Sequence, residues 1–323
     1  MPHKLVTSYW TNKFYDIAPN FIKTKIPVVV PSYNRYENNY FLNVVRKQNS
    51  TWPIFVVVRK SQVKLYRQNY KDLSNVTFVS FDDEKINNIG KTRQQIVKYF
   101  TKKFDNVIMC DDDCVLVLRT KAIRKNNDGI ESTRYSINFN KDKLDNLFAM
   151  WQLTHEYLIE KYPNCWITHP SFYDFAFDAA YGEEKSYSIG ALAACVFCAN
   201  LKLLREHKLN YVSSEETGHE DIDLLIRALK LGLFPISIKY FNTKNTHYAG
   251  SEVEKSLNFD NEEERLAYQG QKLYELYKDY PYVTLNKHNT ILIKWNRYVK
   301  DNHIEPKTGS IRKELYNKLK KGN

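Results

Sequence analysis

Three consecutive carboxylates, Asp111, Asp112 and Asp113, follow an apolar run at residues 107–110. Adjacent ionised carboxylates repel one another unless a cation or hydrogen-bond donors compensate their charge. If the chain stays extended there, Asp111 and Asp113 lie on the same side, because side chains alternate along a strand. Such a pair can bind a hard divalent cation, which in turn binds phosphate oxygens. A solvated acidic loop is the simpler interpretation, so the neighbouring sequence has to decide between the two.

The triplet ends the last of four short apolar runs in the first third of the chain. Each run is mostly β-branched or aromatic and apolar on both faces, which is typical of parallel strands buried between helices. Helix-compatible stretches separate the runs, so their order predicts a βαβαβαβ unit, half of a Rossmann-like α/β fold. The predicted strands are residues 26–30, 54–58, 76–81 and 107–110, and the predicted helices are residues 36–49, 61–71 and 88–103.

Polar residues follow each of these predicted strands. Residues 31–35 follow the first strand, Arg59 the second, Asp82 and Asp83 the third, and the acidic triplet the fourth. Ligands of parallel sheets bind beyond the carboxyl ends of the strands, which meet at one edge. This convergence favours a ligand site over a solvated acidic loop.

Arg93 lies near the start of the third predicted helix. At helical spacing it shares an inward face with Ile89 and Val97. One interpretation is that its guanidinium and the helix N-terminus bind a phosphate together. The other is a buried ion pair with one of the aspartates at the sheet edge, and the two interpretations carry equal weight.

Four segments in the middle of the chain have distinct patterns. Residues 119–143 are polar and basic, which predicts a surface loop or a hairpin. Residues 144–161 have a helical pattern, and the many aromatic rings at 165–187 favour core packing over stacking against a base. The small apolar residues at 189–204 predict a strand that lines the site and leaves room for an acceptor.

A second acidic motif occurs at residues 220–221. Thr217 and Glu220 fit a capping box, and Asp223 with Arg227 forms an ordinary i,i+4 pair. Neither device accounts for Asp221. A carboxylate at that position could accept a proton from a nucleophilic hydroxyl, although the helix dipole is expected to lower its pKa and weaken it as a base.

His247 follows a strand-like run at residues 234–241. A single histidine is usually a surface residue or a hydrogen-bonded core residue. His247 gains interest because a late ligand that returns to the sheet edge would stand at such a position.

The composition predicts a soluble, reduced, intracellular protein. The 323 residues are 43% hydrophobic, enough for a sizeable core, and neither a signal peptide nor an apolar run of roughly 18 residues is present. The five cysteines lack metal-site spacing, and the C-x-x-C of Cys195 and Cys198 lies in an apolar run, which favours core packing over a zinc or redox site. A net charge of +11, with a basic stretch at 294–323, suits a polyanionic partner such as nucleic acid.

Taken in order, these motifs resemble nucleotide-sugar-dependent glycosyltransferases of the GT-A fold. The motifs are residues 31–35, the helix start at 88–93, the triplet as an Asp-x-Asp motif, the pair at 220–221 and the late His247. The resemblance covers about residues 26–250 and implies a Rossmann-like mixed sheet flanked by helices, with a helical, basic C-terminal extension. It implies a GT-A domain at 1–250, in which 26–118 bind the nucleotide-sugar and 119–250 the acceptor, and an extension at 251–323.

The resemblance also implies a role for each matching residue. Asp111, Asp113 and His247 would hold Mn²⁺ or Mg²⁺, and a mixed oxygen and imidazole set favours Mn²⁺; a register that starts at Asp112 stays open. Asp221, with Glu220 beside it, would be the catalytic base of an inverting displacement, and a retaining mechanism also stays open. The nucleotide-sugar would contact Pro31, Ser32, Tyr33, Asn34, Arg35, Arg59, Asp82, Lys91, Arg93, Asp111 and Asp112.

The basic composition, rich in Lys, Asn and Tyr, is similar to that of the TET-associated and phage-type members of this fold, which glycosylate hydroxymethylated pyrimidines in DNA. That similarity implies a UDP-sugar donor, a hexosyl or pentosyl transfer, and an acceptor in double-stranded DNA such as 5-hydroxymethylcytosine. It places the protein in the cytoplasm, or in the host cytoplasm if a phage encodes it, with no membrane partner. The alternatives are a polysaccharide or protein acceptor and a non-enzymatic nucleic-acid-binding protein, against which the intact carboxylates argue. The sugar, the donor base and the oligomeric state stay open.

Overall fold

The computed structural model describes residues 5–6, 9–125, 131–137, 143–171, 187–191, 195–212, 219–245, 262–304 and 311–321. Two 3₁₀ turns, Ala18–Phe21 and Asp83–Ile86, occur among them. The strands are β1 Leu5–Val6, β2 Val28–Pro31, β3 Ile54–Arg59, β4 Val76–Phe81, β5 Asn106–Cys110, β6 Cys114–Lys125, β7 Glu131–Ile137, β8 Cys165–Ser171, β9 Tyr187–Ile189, β10 Val196–Asn200, β11 Phe234–Asn245, β12 Val283–Leu285 and β13 Ile291–Ile293. The helices are α1 Tyr9–Ile17, α2 Tyr40–Lys47, α3 Val63–Asn69, α4 Ile89–Phe100, α5 Leu144–Lys161, α6 Leu201–Glu206, α7 Glu220–Lys230, α8 Glu262–Tyr277, α9 Trp295–Asp301 and α10 Ile311–Lys321.

Most of the strands form one mixed sheet, in the order β1-β6-β11-β8-β10-β5-β2-β3-β4, with β7 beside β6 and β9 beside β11. Strands β5, β2, β3 and β4 are parallel, and β10 joins β5 in the antiparallel sense. Helices α2, α3 and α4 connect the parallel strands, as parallel neighbours require a crossover. This confirms the predicted α/β class, a Rossmann-like mixed sheet flanked by helices.

The parallel half agrees with the four strands and three helices predicted from the apolar runs. Every residue of β2 is buried, whereas β4 at the sheet edge is only half-buried. The third helix begins where the sequence indicated, because the Asn88 side chain caps it by accepting from the Lys91 N–H. The four carboxyl ends therefore lie along one edge of the sheet, with the polar residues that follow them.

The acidic triplet does not continue the strand before it. The Cys114 N–H donates to the Asp111 carbonyl at 3.1 Å, which closes a turn between β5 and β6. The condition of an extended chain, under which Asp111 and Asp113 would lie on one side, is therefore not met, since the backbone reverses to bring β6 against β11. Beyond the turn, β6 and β7 pair as a hairpin, one of the two structures predicted for residues 119–143.

The strand predicted at residues 189–204 is only partly correct. Strand β10 ends at Asn200, whose side chain accepts from the Leu203 N–H and caps α6. The apolar pattern does not stop at the end of the strand, because the buried Leu201 and Leu204 of α6 continue it. The helix at residues 144–161 is found as predicted, with the same bounds.

The C-terminal region contains a β-hairpin as well as helices, so the expectation of a purely helical extension was incomplete. Strands β12 and β13 are three residues each, too short to give a clear pattern, and Asn289 between them has a φ of 56°. The buried Tyr298, Ile311 and Leu315 belong to the same core as the sheet. A division of the chain at residue 250 stays a prediction.

Trp295 of α9 packs against Gly190, directly after β9. A Cβ atom at Gly190 would lie 2.7 Å from Trp295 Cδ2, and the φ of Gly190 is +101°. Only glycine fits this close approach without strain. The contact joins the C-terminal region to the half of the sheet predicted to face the acceptor.

None of the helices in the described ranges is both long enough and apolar enough to cross a membrane.

A buried histidine links α5 to the sheet. His155 Nδ1 lies 2.9 Å from Thr168 Oγ1, and Nε2 lies 3.1 Å from Asn106 Oδ1. The ring is fully buried, and burial lowers its pKa to about 3. The ring is therefore neutral in the folded protein at any pH at which the protein would be handled.

This histidine predicts that acid destabilises the fold. Below its ordinary pKa of 6.5 the unfolded chain binds a proton at His155, whereas the folded chain does not until about 3. Stability is therefore complete above 6.5 and is lost as pH falls, by about 2 kcal/mol between pH 7 and pH 5 for this single group. We expect urea unfolding to show this loss and His155→Gln to reduce it. The same substitution at the exposed His207 should preserve the wild-type loss, and an unchanged loss in His155→Gln would contradict the assignment.

Candidate active site

A cluster of charged side chains lies where β5 ends. It consists of the acidic triplet, the loop after β2, Arg93 of α4 and the first turn of α7. The triplet is in the turn that joins the parallel half of the sheet to β6, so it lies beside both halves. These side chains come from four different segments of the chain.

Arg93 is buried between two carboxylates. Its Nη1 donates to Glu220 Oε1 at 2.9 Å, and its Nη2 lies 3.1 Å from Asp111 Oδ1. Burial opposes the charge of the guanidinium, but Asp111 and Glu220 raise its pKa well above the ordinary value. Of the two interpretations of Arg93, the structure contains the buried ion pair, and it adds Glu220 as a second partner that no sequence pattern had indicated.

Helix α7 presents Glu220 to this pair. The helix begins at Glu220 with His219 as N-cap, so the predicted capping box with Glu220 as its third residue is wrong. The Glu220 carboxylate binds Arg93 instead, and Thr217 lies outside the described residues. The predicted pair of Asp223 with Arg227 is confirmed, at 2.5 Å between Oδ2 and Nη2.

Asp221 lies in the same turn and is half-buried. Its Oδ1 accepts from the Ile222 N–H at 2.8 Å. Burial raises its pKa, Arg93 opposes that effect and the nearby Asp111 adds to it. The expectation of a lowered pKa is wrong, because the loss of hydration on burial raises it. Asp221 is thus a stronger base than the sequence suggested, and it lies within electrostatic range of Arg93 and Asp111.

Asp112 faces the opposite way from Asp111 and ties the loop after β2 to the triplet. Its Oδ2 accepts from Ser32 Oγ at 2.5 Å, and its Oδ1 lies 3.0 Å from Arg35 Nη1. Ser32 Oγ in turn lies 2.7 Å from the Tyr66 hydroxyl and 3.1 Å from Asn39 Nδ2. Burial raises the pKa of Asp112 to about 7. Because the Asp112 side chain is the least exposed of the three, the arrangement favours Asp111 and Asp113 as the Asp-x-Asp pair.

Asp113 stands at the other end of the turn. Its Oδ2 lies 3.4 Å from Arg35 Nη1, and its Oδ1 accepts from the Cys114 thiol at 3.2 Å. The family resemblance implies a nucleotide-sugar contact for Arg35, and no sequence pattern indicates its pairing with the triplet. Tyr66 and Asn39 were also missed, because neither belongs to a recognisable motif.

The cluster holds more negative than positive charge. Five carboxylates meet two guanidinium groups, and burial raises the pKa of Asp111, Asp112 and Asp221. Loss of hydration is the main cause of these shifts, and the neighbouring carboxylates add to it. The donor set therefore suits a divalent cation beside Asp111 and Asp113.

Two thiols lie beside the same carboxylate. Ligand atoms of Asp111, Cys114 and Cys195 all lie within 4.8 Å of one another. Cys198, the other half of the C-x-x-C, is fully buried in β10, as expected for a core residue. His247 lies outside the described residues, so its place in a metal site with Asp111 and Asp113 stays a prediction.

The loop after β2 meets Arg59 at the same edge of the sheet. The Arg59 guanidinium lies 3.8 Å from the centre of the Tyr33 ring, and its Nη2 donates to the Asn87 carbonyl at 3.0 Å. The Asn34 side chain accepts from the amide of Gln62, and Pro31 is the last residue of β2. Tyr33 and Arg59 thus form a flat, polar-edged surface.

Two other residues predicted to bind the nucleotide-sugar lie farther out. Asp82 is half-buried and forms ion pairs with Lys60 at 3.4 Å and Lys85 at 3.0 Å. Lys91 is half-buried in the first turn of α4, where its backbone N–H binds the Asn88 side chain. The roles of Asp82 and Lys91 stay predictions.

Comparison with known proteins gives a family match and a distant structural match. Residues 26–253 match the family model described as TET-associated glycosyltransferase. No curated protein matches the chain. Among solved structures, the crystal structure of GalNAc-T7 with UDP, GalNAc and Mn²⁺ matches 92% of this chain and 56% of that chain, at 10% sequence identity and a TM-score of 0.40. The chain thus spans little more than half the length of that structure, and a likeness this distant says nothing about ligands.

Proposed function

Because the chain belongs to the TET-associated glycosyltransferase family, we propose that it transfers a sugar from a nucleoside-diphosphate sugar to the hydroxyl of a hydroxymethylated base in DNA. The chain is a glycosyltransferase, and the proposal concerns its donor, metal and acceptor. The observation that carries it is the cluster of Asp111, Arg93, Glu220 and Asp221, which combines excess negative charge with a base of raised pKa at the ligand-binding edge of the sheet.

The donor would bind between the loop after β2 and the triplet. The flat surface of Tyr33 and Arg59 suits a nucleobase, for which a UDP-sugar is our expectation. Asp111 and Asp113 would hold Mn²⁺ or Mg²⁺, which would neutralise charge on the departing diphosphate. The contacts of Asp112 with Ser32 and Arg35 would hold the loop after β2 in a fixed position relative to Asp111 and Asp113.

Asp221 would act as the base. It would take the proton from the acceptor hydroxyl as the oxygen attacks the anomeric carbon, which gives inversion by direct displacement. Its raised pKa brings the base strength closer to what the hydroxyl requires. Glu220 was predicted as a second catalytic residue, but its carboxylate binds Arg93, so we assign it to holding that guanidinium in place.

Charge supports DNA as the acceptor. The net charge is +11, and the β6–β7 hairpin carries Arg119, Lys121, Arg124, Lys125 and Arg134 along its strands. Contacts of lysine and arginine with phosphates provide sequence-independent affinity for a duplex. A base turned out of the helix would then reach the cluster at the sheet edge.

The proposal is tested by offering UDP-glucose, UDP-N-acetylglucosamine and UDP-xylose, with Mn²⁺, to DNA that contains cytosine or 5-hydroxymethylcytosine. We expect the mass of the hydroxymethylated nucleoside alone to rise by one sugar residue. The product yield should fall steeply as salt rises, because phosphate contacts release counterions. No mass change with any donor would contradict DNA as the acceptor. If the donor is nevertheless hydrolysed in a metal-dependent reaction, the result would favour a polysaccharide or protein acceptor.

A further inference from the structure

Three residues from different segments of the chain meet beside the triplet. Asp111 follows β5, Cys114 begins β6, and Cys195 immediately precedes β10. The Asp111 N–H donates to the Cys195 carbonyl at 2.8 Å, and the Cys114 N–H donates to the Asp111 carbonyl at 3.1 Å. The backbone thus holds the three side chains together without help from an ion.

We propose that Cys114, Cys195 and Asp111 form a binding site for a soft divalent cation such as Zn²⁺. Their ligand atoms lie within 4.8 Å of one another. Two sulfurs that bind one tetrahedral zinc ion lie about 3.8 Å apart, since each Zn–S bond is about 2.3 Å long. Thiolate sulfur selects Zn²⁺ over Mg²⁺ and Mn²⁺, whereas the carboxylates of the triplet alone would not. The two thiol protons pass to the buffer on binding, and water takes the fourth position.

The three residues differ in exposure, which leaves one side of the site open to a cation. A neighbouring contact also fixes the orientation of the Asp111 carboxylate. Cys114 is fully buried, whereas Cys195 is half-buried and 27% of the Asp111 side chain is exposed. A cation would therefore enter from the Asp111 and Cys195 side. Arg93 Nη2 holds the Asp111 carboxylate at 3.1 Å, which orients that ligand as partners of ligating carboxylates do in metal sites.

The site shares Asp111 with the Mn²⁺ or Mg²⁺ position, and this consequence rests on the proposed function. A divalent ion bound by the thiols would occupy oxygen lone pairs of the Asp111 carboxylate, which Arg93 also contacts, so fewer of them would remain for a second ion. A soft cation would therefore compete with the cation that binds the donor diphosphate. Binding of the soft cation itself depends only on the three residues and not on sugar transfer.

Binding is measured on the full chain, by absorption with Co²⁺ as a probe and by calorimetry with Zn²⁺. We expect one ion per chain and a sulfur-to-cobalt charge-transfer band. Cys114→Ala and Cys195→Ala should each lose the band and bind Zn²⁺ at least roughly tenfold more weakly. Cys198→Ala, which removes a buried thiol three residues from Cys195, is the matched control and should keep both. If Cys114→Ala fails to fold, the half-buried Cys195→Ala decides the result alone.

Absence of the band in the wild type, or Zn²⁺ affinity that is unchanged in Cys195→Ala, would overturn the site. Competition is measured by the electron paramagnetic resonance signal of free Mn²⁺. Preloading with Zn²⁺ should reduce Mn²⁺ binding by the wild type but not by Cys195→Ala. Thiol-dependent Zn²⁺ binding without sugar transfer would defeat only the proposed function, and transfer without such binding would defeat only this site.

Discussion

Replacing Asp221 by Asn is expected to lower sugar transfer by about 10²- to 10⁴-fold, the contribution typical of a general base. The amide cannot take the proton of the acceptor hydroxyl, yet it has nearly the same shape as the carboxylate. It can still accept the Ile222 N–H, so the start of α7 should be preserved. Donor affinity should change little, because Asp221 is not among the residues proposed to hold the nucleotide. Transfer rate and donor dissociation constant, measured in the same preparation, separate these effects.

The matched control for that variant is Asp105→Asn, the same chemical change at an acid paired with Arg205 on the surface. It should leave both the rate and the donor affinity as in the wild type. Full transfer activity in Asp221→Asn would remove the base assignment. Loss of activity together with an equal loss of donor binding would assign Asp221 to the donor site instead.

Replacing Arg93 by Met is expected to destabilise the fold by about 3–5 kcal/mol, the typical result of removing one partner from a buried charge pair. The substitution retains much of the side-chain volume but leaves Asp111 and Glu220 without their cation. Without the guanidinium, the pKa values of Asp111 and Glu220 in the folded protein would rise. The folded state would then bind protons more readily than the unfolded state, so its stability would increase as pH falls. The deficit of the variant relative to the wild type should therefore shrink between pH 7.5 and pH 5.5. Denaturant unfolding at each pH measures it.

Arg205→Met is the exposed counterpart, since Arg205 pairs with Asp105 at 3.1 Å where both side chains are about half-exposed or more. Its expected cost is only about 0–1 kcal/mol, as for other surface ion pairs. Equal losses in the two variants would show that Arg93 contributes no more than a surface charge. Adding Glu220→Gln to Arg93→Met should recover part of the lost stability, because it removes one of the two unpaired charges.

The parallel half of the fold was accessible from the sequence because its signals are local. An apolar run on both faces, a helix cap at Asn88 and a polar residue after each strand are each contained in a few consecutive residues. The β6–β7 hairpin and the helix at residues 144–161 followed in the same way. The turn at the triplet was missed, because it depends on the pairing of β6 with β11, more than a hundred residues away in sequence.

The same distinction between local and long-range signals applies to the candidate site. The sequence identified Asp111, Asp113, Arg93, Glu220 and Asp221, because charged residues at strand ends and helix starts are unusual in otherwise apolar surroundings. It could not choose between phosphate and an ion pair for Arg93. That choice depends on Glu220, which is 127 residues from Arg93 in the chain.

The sequence by itself thus determined the class of the fold, the edge of the sheet that carries the candidate site and the chemical types of the residues there. Only the tertiary structure decided how these residues share their charges. Arg93 binds Asp111 and Glu220, Asp112 turns inward to Ser32 and Arg35, and burial raises the pKa of Asp221 where the helix dipole alone would lower it. The physical reason is that periodicity and capping act between neighbours along the chain, whereas hydration and Coulomb interactions depend on distances in space, which the packing of remote segments determines.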